Sequence, residues 1–351
     1  MLAVEKTLGR RPRSAERLIG GANNVVARVD LGSETLLAKI YFTHPGDPRD
    51  RLGTEFNTLA FLRANGITSV PSAIAINRDL HLGIYEFVHG EKLVAGEITW
   101  DDAGHLARLL CEMWAIRNKP GAERLPDASE AHFSLRRYHD HVRARLERIE
   151  TALKNESAAA RAGELARTYL RPGWQKVSRF VEKRAGELRL DFDAELPLKL
   201  RTLSPADHGF HNALRAAGGR LVFLDFEYAG WDQPAQMLAN ACLQPEVPLP
   251  PELRKRFVQE MLKRLPDDLQ LIHRLRLIYP MLALKWSLIM LNEFIPVSSQ
   301  RRSFAGADAE TRRAAQLEKS RRQIEAACEA ASDGFFLDDL IDEFDSQPLP
   351  S

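Results

Sequence analysis

Between residues 18 and 88 the apolar positions recur mostly at the strand period. Val25-Val26-Ala27-Arg28-Val29 is β-branched, Gly32-Ser33 supplies a turn, and residues 36–42 run back, which predicts a hairpin. The period changes across residues 50–65. Leu52, Phe56, Leu59, Ala60 and Leu62 recur at helical spacing, and Asn65-Gly66 is a stop signal. Residues 73–76 and 81–88 predict two more strands around an Asn77-Arg78-Asp79 turn. From about residue 100 the helical period takes over. Residues 101–117 carry Leu106, Leu109, Leu110, Met113 and Trp114 on one stripe. Residues 134–190 read as two or three helices, and 251–264, 267–295 and 307–331 as further ones. After Ser332 the chain turns acidic and ends in Gln-Pro-Leu-Pro-Ser, a tail expected to fray.

This pattern predicts an α+β chain with a small antiparallel-sheet lobe over 1–88, a large helical lobe over 89–332 and an acidic tail over 333–351. No internal repeat is visible. At 351 residues the length allows about two domains of ~150 residues. Lys plus Arg is 49 and Asp plus Glu 48, a formal charge of +1 that gives no reason to expect a nucleic-acid partner. Cys111, Cys242 and Cys328 are isolated and form neither a disulfide framework nor a metal knuckle. The start lacks the apolar run of a signal peptide, and the most apolar stretch, residues 275–291, holds Arg276, Pro280 and Lys285. It is too short and too charged to span a bilayer, so the cytoplasm is the expected compartment.

One stretch interrupts the helical lobe: residues 203–227. Gly218-Gly219 between two short apolar runs is a two-residue hairpin signal. Counting outward, Ala217 faces Arg220, Leu214 faces Phe223, Ala213 faces Leu224, and Asn212 falls opposite Asp225. Directly opposed residues stand roughly 4.5–5.5 Å apart at Cα. An amide oxygen and a carboxylate side by side suit a hard cation such as Mg²⁺. Asp207, five residues before Asn212 in a loop held by Pro205 and Gly209, is placed to reach a substrate hydroxyl next to that metal.

D-x-x-x-x-N, a hairpin and then Asp225-Phe226-Glu227 resembles the catalytic apparatus of protein-kinase-like enzymes. The chain resembles the aminoglycoside phosphotransferase / choline kinase superfamily of small-molecule kinases, and Leu224-Asp-Phe-Glu-Tyr-Ala-Gly-Trp231 is particularly similar to the choline/ethanolamine kinase version. Upstream, Leu18-Ile-Gly-Gly-Ala-Asn-Asn resembles the family's phosphate-covering hairpin, with Gly20, Gly21 and Asn23 at the nucleotide. Leu37-Ala-Lys39-Ile-Tyr resembles its lysine strand, with Glu55 at the place of the lysine's ion-pair partner. Ile84-Tyr-Glu86-Phe-Val88 is similar to the hinge that binds adenine through backbone groups. The resemblance implies a bilobal fold, ATP or GTP with Mg²⁺ as cofactors, Asp207 as catalytic residue and Asn212 and Asp225 as metal ligands. It also implies Lys39 on the α- and β-phosphates, a small hydroxylated acceptor, and no nucleic-acid partner or membrane span.

Taken singly, most of these residues read as ordinary ones, such as a snorkelling lysine, a helix carboxylate or a turn; their order along the chain carries the assignment. His208, His211 and Glu227 flank the loop and hairpin as acceptor candidates, with packing the alternative for the histidines. Lys285 and Trp286 sit on a helix that forms one acceptor wall in such kinases, or else Lys285 snorkels and Trp286 is core. His139 and His141, two apart on a helix, make a poor metal pair. Arg10, Arg11, Arg13 and Arg17 form a solvated basic start, and Asp338, Asp339, Asp342 and Glu343 a solvated tail. Two positions depart from the family pattern. Pro205 stands where the loop histidine belongs, and Met237 where a bracing aspartate belongs. The first function expected is γ-phosphoryl transfer to a sugar, amino sugar or amino alcohol such as choline or ethanolamine. The second is a non-catalytic pseudokinase that binds nucleotide or a partner protein.

Overall fold

The computed structural model describes residues 1–18, 24–154, 160–265, 269–294 and 309–345. By its contacts the chain divides into two compact units. The first holds the described residues of Met1–Ser129 and Leu203–Trp231, the second those of Glu130–Thr202, Asp232–Ser299 and Asp308–Ser351.

The first unit starts with α1 (Leu2–Leu8) and continues into β1 (Ser14–Leu18), β2 (Val25–Asp30) and β3 (Thr35–Ile40). After α2 (Arg51–Ala64), β4 (Ala73–Asn77) and β5 (Leu82–Glu86) complete an antiparallel sheet of order β1-β2-β3-β5-β4. Alternation directs Val29, Leu36, Ala38, Leu82 and Ile84 into a core that Val4 of α1 joins. The edge strand β1 is almost wholly exposed, so it carries no apolar alternation and escapes the sequence pattern. The borders of α2 follow its chemistry. Asp50 accepts from Gly53 N–H as N-cap, and the helix ends at Asn65. Leu59 and Leu62 are fully buried, and the helix packs on β4 and β5.

Next come β6 (Glu91–Lys92) and α3 (Trp100–Ile116). Thr99 and Asp102 form a reciprocal capping box at the start of α3. The second unit contributes α4 (Leu135–Lys154), α5 (Ala160–Leu165), a π-turn and α6 (Arg171–Glu187). The chain then runs through β7 (Thr202–Ser204), β8 (Ala213–Arg215), β9 (Leu221–Phe223) and β10 (Gly230–Asp232). β6, β8 and β9 make a three-stranded antiparallel sheet. The closing helices are α7 (Pro234–Leu243), α8 (Pro251–Leu262), α9 (Leu269–Met290), α10 (Ala309–Ala330) and α11 (Phe336–Asp345). The apolar α9 is the hub of the second unit, packed by α4, α6, α7, α10 and α11. No helix among the described residues is long and apolar enough to cross a membrane. Cys111, Cys242 and Cys328 form no disulfide.

The acidic tail is a correction. Residues 336–345 are not frayed but form α11, which buries Leu337, Leu340 and Ile341. Asp338 explains why. The Arg276 side chain is fully buried, and its Nε and Nη2 reach the two oxygens of Asp338 at 2.6 and 2.9 Å. Its Nη1 and Nη2 also donate to the carbonyls of Ala330 and Ser332. A buried guanidinium needs such a partner, so one acidic residue of the run is structural.

Candidate active site

β3 carries Lys39 into the interior, where it is 5% exposed. Its Nζ lies 2.6 Å from Glu55 Oε2, 2.6 Å from Asp225 Oδ1 and 3.6 Å from Glu227 Oε2. Glu55 comes from α2, and its position is fixed twice more. Oε2 accepts from the Tyr41 hydroxyl at 2.6 Å, and Oε1 accepts from Phe226 N–H at 3.3 Å. The Tyr41 and Tyr85 hydroxyls meet at 2.7 Å. Burial by itself disfavours the ammonium, but Asp225, Glu55 and Glu227 outweigh it and hold Lys39 well above its ordinary value. Burial pushes Glu55 up, with Asp225 and Glu227 adding to the shift and Lys39 opposing it. Buried Tyr41 is raised for the same reasons, burial first and then the Glu55 carboxylate.

The loop before β8 is closed by its own short bonds. Ser204 Oγ accepts from Ala206 N–H at 3.0 Å, and Pro205 O accepts from Asp207 N–H at 2.8 Å. Asn212 Nδ2 then donates to Asp207 O at 2.9 Å. None of these bonds needs a histidine at position 205. Ala206 has φ 63, a left-handed value that costs an alanine about 1 kcal/mol. The loop therefore holds Asp207 against a local backbone preference. Asp207 Oδ1 is buried with no hydrogen bond, 3.5 Å from His211 Nε2. His208 is 3% exposed.

The hairpin register differs from the one expected. β8 and β9 pair Ala213 with Phe223, Leu214 with Val222 and Arg215 with Leu221. Asn212 therefore lies opposite Leu224, whose N–H donates to its carbonyl at 2.8 Å, and not opposite Asp225. The reason is the loop length. Ala217 joins Gly218 and Gly219 in a three-residue connection closed by Gly219 N–H to Ala216 O. Gly218, at φ 81, occupies the third position of that turn, where glycine alone is free of strain. Asp225 lies one residue past the paired position, and its own φ of 64 turns the chain out of strand geometry. That turn delivers the Asp225 carboxylate to Lys39.

Glu227 is 2% exposed, and its Oε2 accepts from Asn24 Nδ2 at 2.6 Å. Asn24 Oδ1 in turn accepts from Phe42 N–H at 3.2 Å, which ties the end of β3 to the strip after β9. Arg51 Nε approaches Glu227 Oε1 to 3.8 Å, and both atoms are buried without a hydrogen bond. Glu227 thus joins Glu55 and Asp225 around Lys39. Sequence reasoning missed Asn24 and Arg51. Asn24 was legible only as the neighbour of Asn23, and Arg51 only as an arginine in the first turn of α2. Gly20, Gly21 and Asn23 lie outside the described residues.

In the hinge stretch, Glu86 N–H donates to Ser72 O, and its carboxylate accepts from Ser72 N–H and Oγ. All of these groups belong to the first unit. Lys285 and Trp286 belong to the second. Lys285 is 5% exposed, 3.3 Å from Glu130 Oε2, with Nζ 5.6 Å from the Tyr138 ring centre. Burial pulls Lys285 down, and Glu130 opposes the shift. Arg145 and His141 share the same carboxylate, and the Tyr138 hydroxyl is buried without a partner. His139 bonds Ser178 instead, so the two α4 histidines do diverge.

Arg215, at the end of β8, pairs with Asp102 of the α3 capping box at 2.8 Å. This contact fastens the β8–β9 hairpin to a helix start. Asp102→Ala removes the cap and the anchor together. Because half-exposed Arg215 is screened by water, the expected loss is about 1–2 kcal/mol, measured by urea unfolding. Loss of turnover without loss of stability would contradict an anchoring role.

A family model described as "Phosphotransferase enzyme family" matches residues 14–272. No curated protein matches the chain by sequence. Solved structures do resemble it. Spectinomycin phosphotransferase APH(9)-Ia, in complex with ADP and spectinomycin, is 13% identical, covers 94% of this chain and 97% of its own, and has a TM-score of 0.63. Choline kinase LicA from Streptococcus pneumoniae is 14% identical over 93% and 97%, with a TM-score of 0.59. Choline kinase from Cryptosporidium parvum Iowa II is 18% identical over 90% and 91%, with a TM-score of 0.54. The fold is the bilobal, protein-kinase-like α+β fold, with an antiparallel sheet in the small lobe and a helical large lobe.

Proposed function

The chain belongs to the phosphotransferase enzyme family and is a small-molecule kinase, and from that premise we propose that it moves the γ-phosphoryl group of ATP to a hydroxyl of a sugar, amino sugar or amino alcohol. The observation that supports this most is the place of Lys39, 2.6 Å from Glu55 and 2.6 Å from Asp225. A buried ammonium held by one helix carboxylate and one post-hairpin carboxylate is the charge that nucleotide phosphates require.

In this reading Lys39 neutralises the α- and β-phosphates and Glu55 holds it in place. The Glu86 carbonyl and the Val88 peptide meet the adenine edge, since Glu86 N–H is already committed to Ser72. Gly20, Gly21 and Asn23 cover the phosphates. Asp207 accepts the proton of the acceptor hydroxyl as its oxygen bonds to the γ-phosphorus and the bond to the ADP oxygen breaks. Asn212 and Asp225 are the residues for Mg²⁺. Their donors are hard oxygens, and Asp207, whose carbonyl accepts from Asn212 Nδ2, has a buried Oδ1 without a hydrogen bond, which fits a site that takes further polar groups. When bound, the ion supplies charge neutralisation at the phosphates. Lys285 and Trp286 are the acceptor-wall candidates of the helical lobe.

The test is Mg²⁺-dependent ATP turnover across a panel of hydroxyl compounds of these classes. One class is expected to raise ADP release at least about tenfold over the acceptor-free rate. Tight nucleotide binding with no acceptor stimulation would instead favour the non-catalytic reading.

A further inference from the structure

Within the second unit, one stripe of α4 packs toward α9 beside the loop that leads into α4. The stripe holds Tyr138, His141, Arg145 and Arg148, spaced three, four and three residues apart so that they share a face. α9 supplies Lys285, and the loop supplies Glu130. Glu130 has φ 63, a left-handed value that is uncommon for a residue with a Cβ and that clusters at ligand clamps and active sites. Its carboxylate is the common partner of the group. Arg145 Nη2 donates to Oε1, while Lys285 Nζ and His141 Nε2 stand 3.3 and 3.7 Å from Oε2.

Burial by itself pushes the Glu130 carboxyl up, but Lys285, His141 and Arg145 outweigh it and hold it well below the usual carboxylate range. Asp232, fully buried, is the second carboxylate that Lys285 feels, and it already accepts from Gln233 N–H at 2.8 Å. Against these two carboxylates stand Lys285, Arg145 and Arg148. Among the described residues Arg148 has no hydrogen bond and no ion pair. Burial and then Arg145 pull it below its ordinary value, and Glu130 alone opposes them. Its guanidinium therefore keeps its donors open. Beneath it, Arg145 is 8% exposed and Tyr138 fully buried, yet Arg145 Nε and the Tyr138 hydroxyl have no hydrogen bond. The rim is open to solvent. The His141 and Glu130 side chains are 25% and 26% exposed, and Arg148 is exposed. Buried, unpaired polar atoms under such a rim are groups that a ligand can complete.

The charge balance sets the sign of that ligand. A ligand ammonium would come to Glu130 as one more cation on a carboxylate whose two oxygens are both taken. An anionic oxygen group would instead pair with Arg148 and with the spare donors of Arg145 and Lys285. We infer that this cluster binds the anionic oxygen group, carboxylate or phosphate, of a hydroxylated ligand, and that the acceptor of the phosphoryl group is such an acid rather than a cationic amino sugar or amino alcohol. The acceptor half of this inference rests on the proposed phosphotransfer; the binding half does not.

The probes are gluconate, sorbitol phosphate, sorbitol and glucamine, which share one carbon skeleton and differ in charge at one end. In calorimetric titration of the full chain, gluconate or sorbitol phosphate is expected to bind at least about tenfold more tightly than sorbitol and glucamine. The tighter of the two anions identifies the group. Arg148→Gln removes an exposed charge that has no structural partner, and Lys285→Met removes the buried one. Each is expected to weaken the anion at least about fivefold and to leave sorbitol unchanged. Should Lys285→Met fail to fold, Arg148→Gln alone decides. Glucamine bound as tightly as the anions, no binding of either anion, or anion affinity in Arg148→Gln equal to wild type overturns the inference. ADP release from Mg²⁺-ATP with the same compounds tests the reaction separately. Stimulation by an anion supports both, and stimulation by glucamine above the anions overturns the acceptor assignment alone. Tight anion binding with no stimulation by any compound removes the transfer to such acids and leaves the anion site standing.

Discussion

Asp207→Asn lowers kcat by about two to four orders of magnitude while nucleotide affinity stays within a few-fold of wild type. The substitution keeps the shape and one acceptor oxygen and removes the ability to take a proton. The loop does not rely on the carboxylate for its conformation. Its bonds are Ala206 N–H to Ser204 Oγ, Asp207 N–H to Pro205 O and Asn212 Nδ2 to Asp207 O, all of which leave the Asp207 side chain free of structural duty. Folding should therefore survive, and circular dichroism with ADP titration checks that it does. The loss should appear in kcat rather than in the affinity for nucleotide, because Lys39, Glu55 and Asp225 are untouched. Turnover equal to wild type would remove Asp207 as the proton acceptor. A loss confined to nucleotide affinity would place it at the metal instead.

The elements that sequence made legible are those with one buried face. β2, β3 and α2 show a clean period because one side of each meets a core. The Asn65-Gly66 stop signal marked the end of α2. Two kinds of element stayed hidden. In α7 all ten residues are buried, so no polar face exists to reveal a helical period. β1 fails in the opposite sense, because nearly every residue is exposed. The site shows the same division. Lys39, Glu55, Asp207, Asn212 and Asp225 are readable as a spaced set, and the first unit gathers all five. Their mutual geometry was less readable. A Gly-Gly pair does not say whether its loop has two residues or three, and the extra residue moved Asn212 from Asp225 to Leu224. Glu227 was read only as an acceptor candidate, and its bond to Asn24 and its closeness to Lys39 had no local signature. Long-range partners such as Arg276 and Asp338 have no local signature, which is why the acidic run looked like a tail.

Lys39→Met tests the charge arrangement that the remaining assignments lean on. Removing the ammonium should cut turnover by about 10²–10³, the scale for losing one preorganised electrostatic partner. It should also destabilise the fold, because Glu55 and Glu227 stay buried without their common counter-ion. Breaking a buried pair from one side costs about 3–5 kcal/mol, and the buried pair here is Lys39 with Glu55. The pH dependence gives the stricter test. In the wild-type chain Lys39 is raised, so its contribution is complete below the ordinary lysine value of 10.5 and is lost only as pH rises through the raised folded value. Glu55 is also raised, from an ordinary 4.5, chiefly by burial. Its folded form therefore holds the proton more tightly than the unfolded chain, and that contribution, full at low pH, is lost as pH rises through the folded value. Lys39 opposes the Glu55 shift, so deleting it raises Glu55 further. The variant should approach wild-type stability near pH 4.5 and fall progressively behind as pH rises from there towards 8. Urea unfolding at a series of pH values measures the gap. A difference that stays constant across the series would mean that the carboxylates around Lys39 do not titrate against it, and the ammonium would then be a packing element rather than the centre of a charge cluster built to receive phosphates.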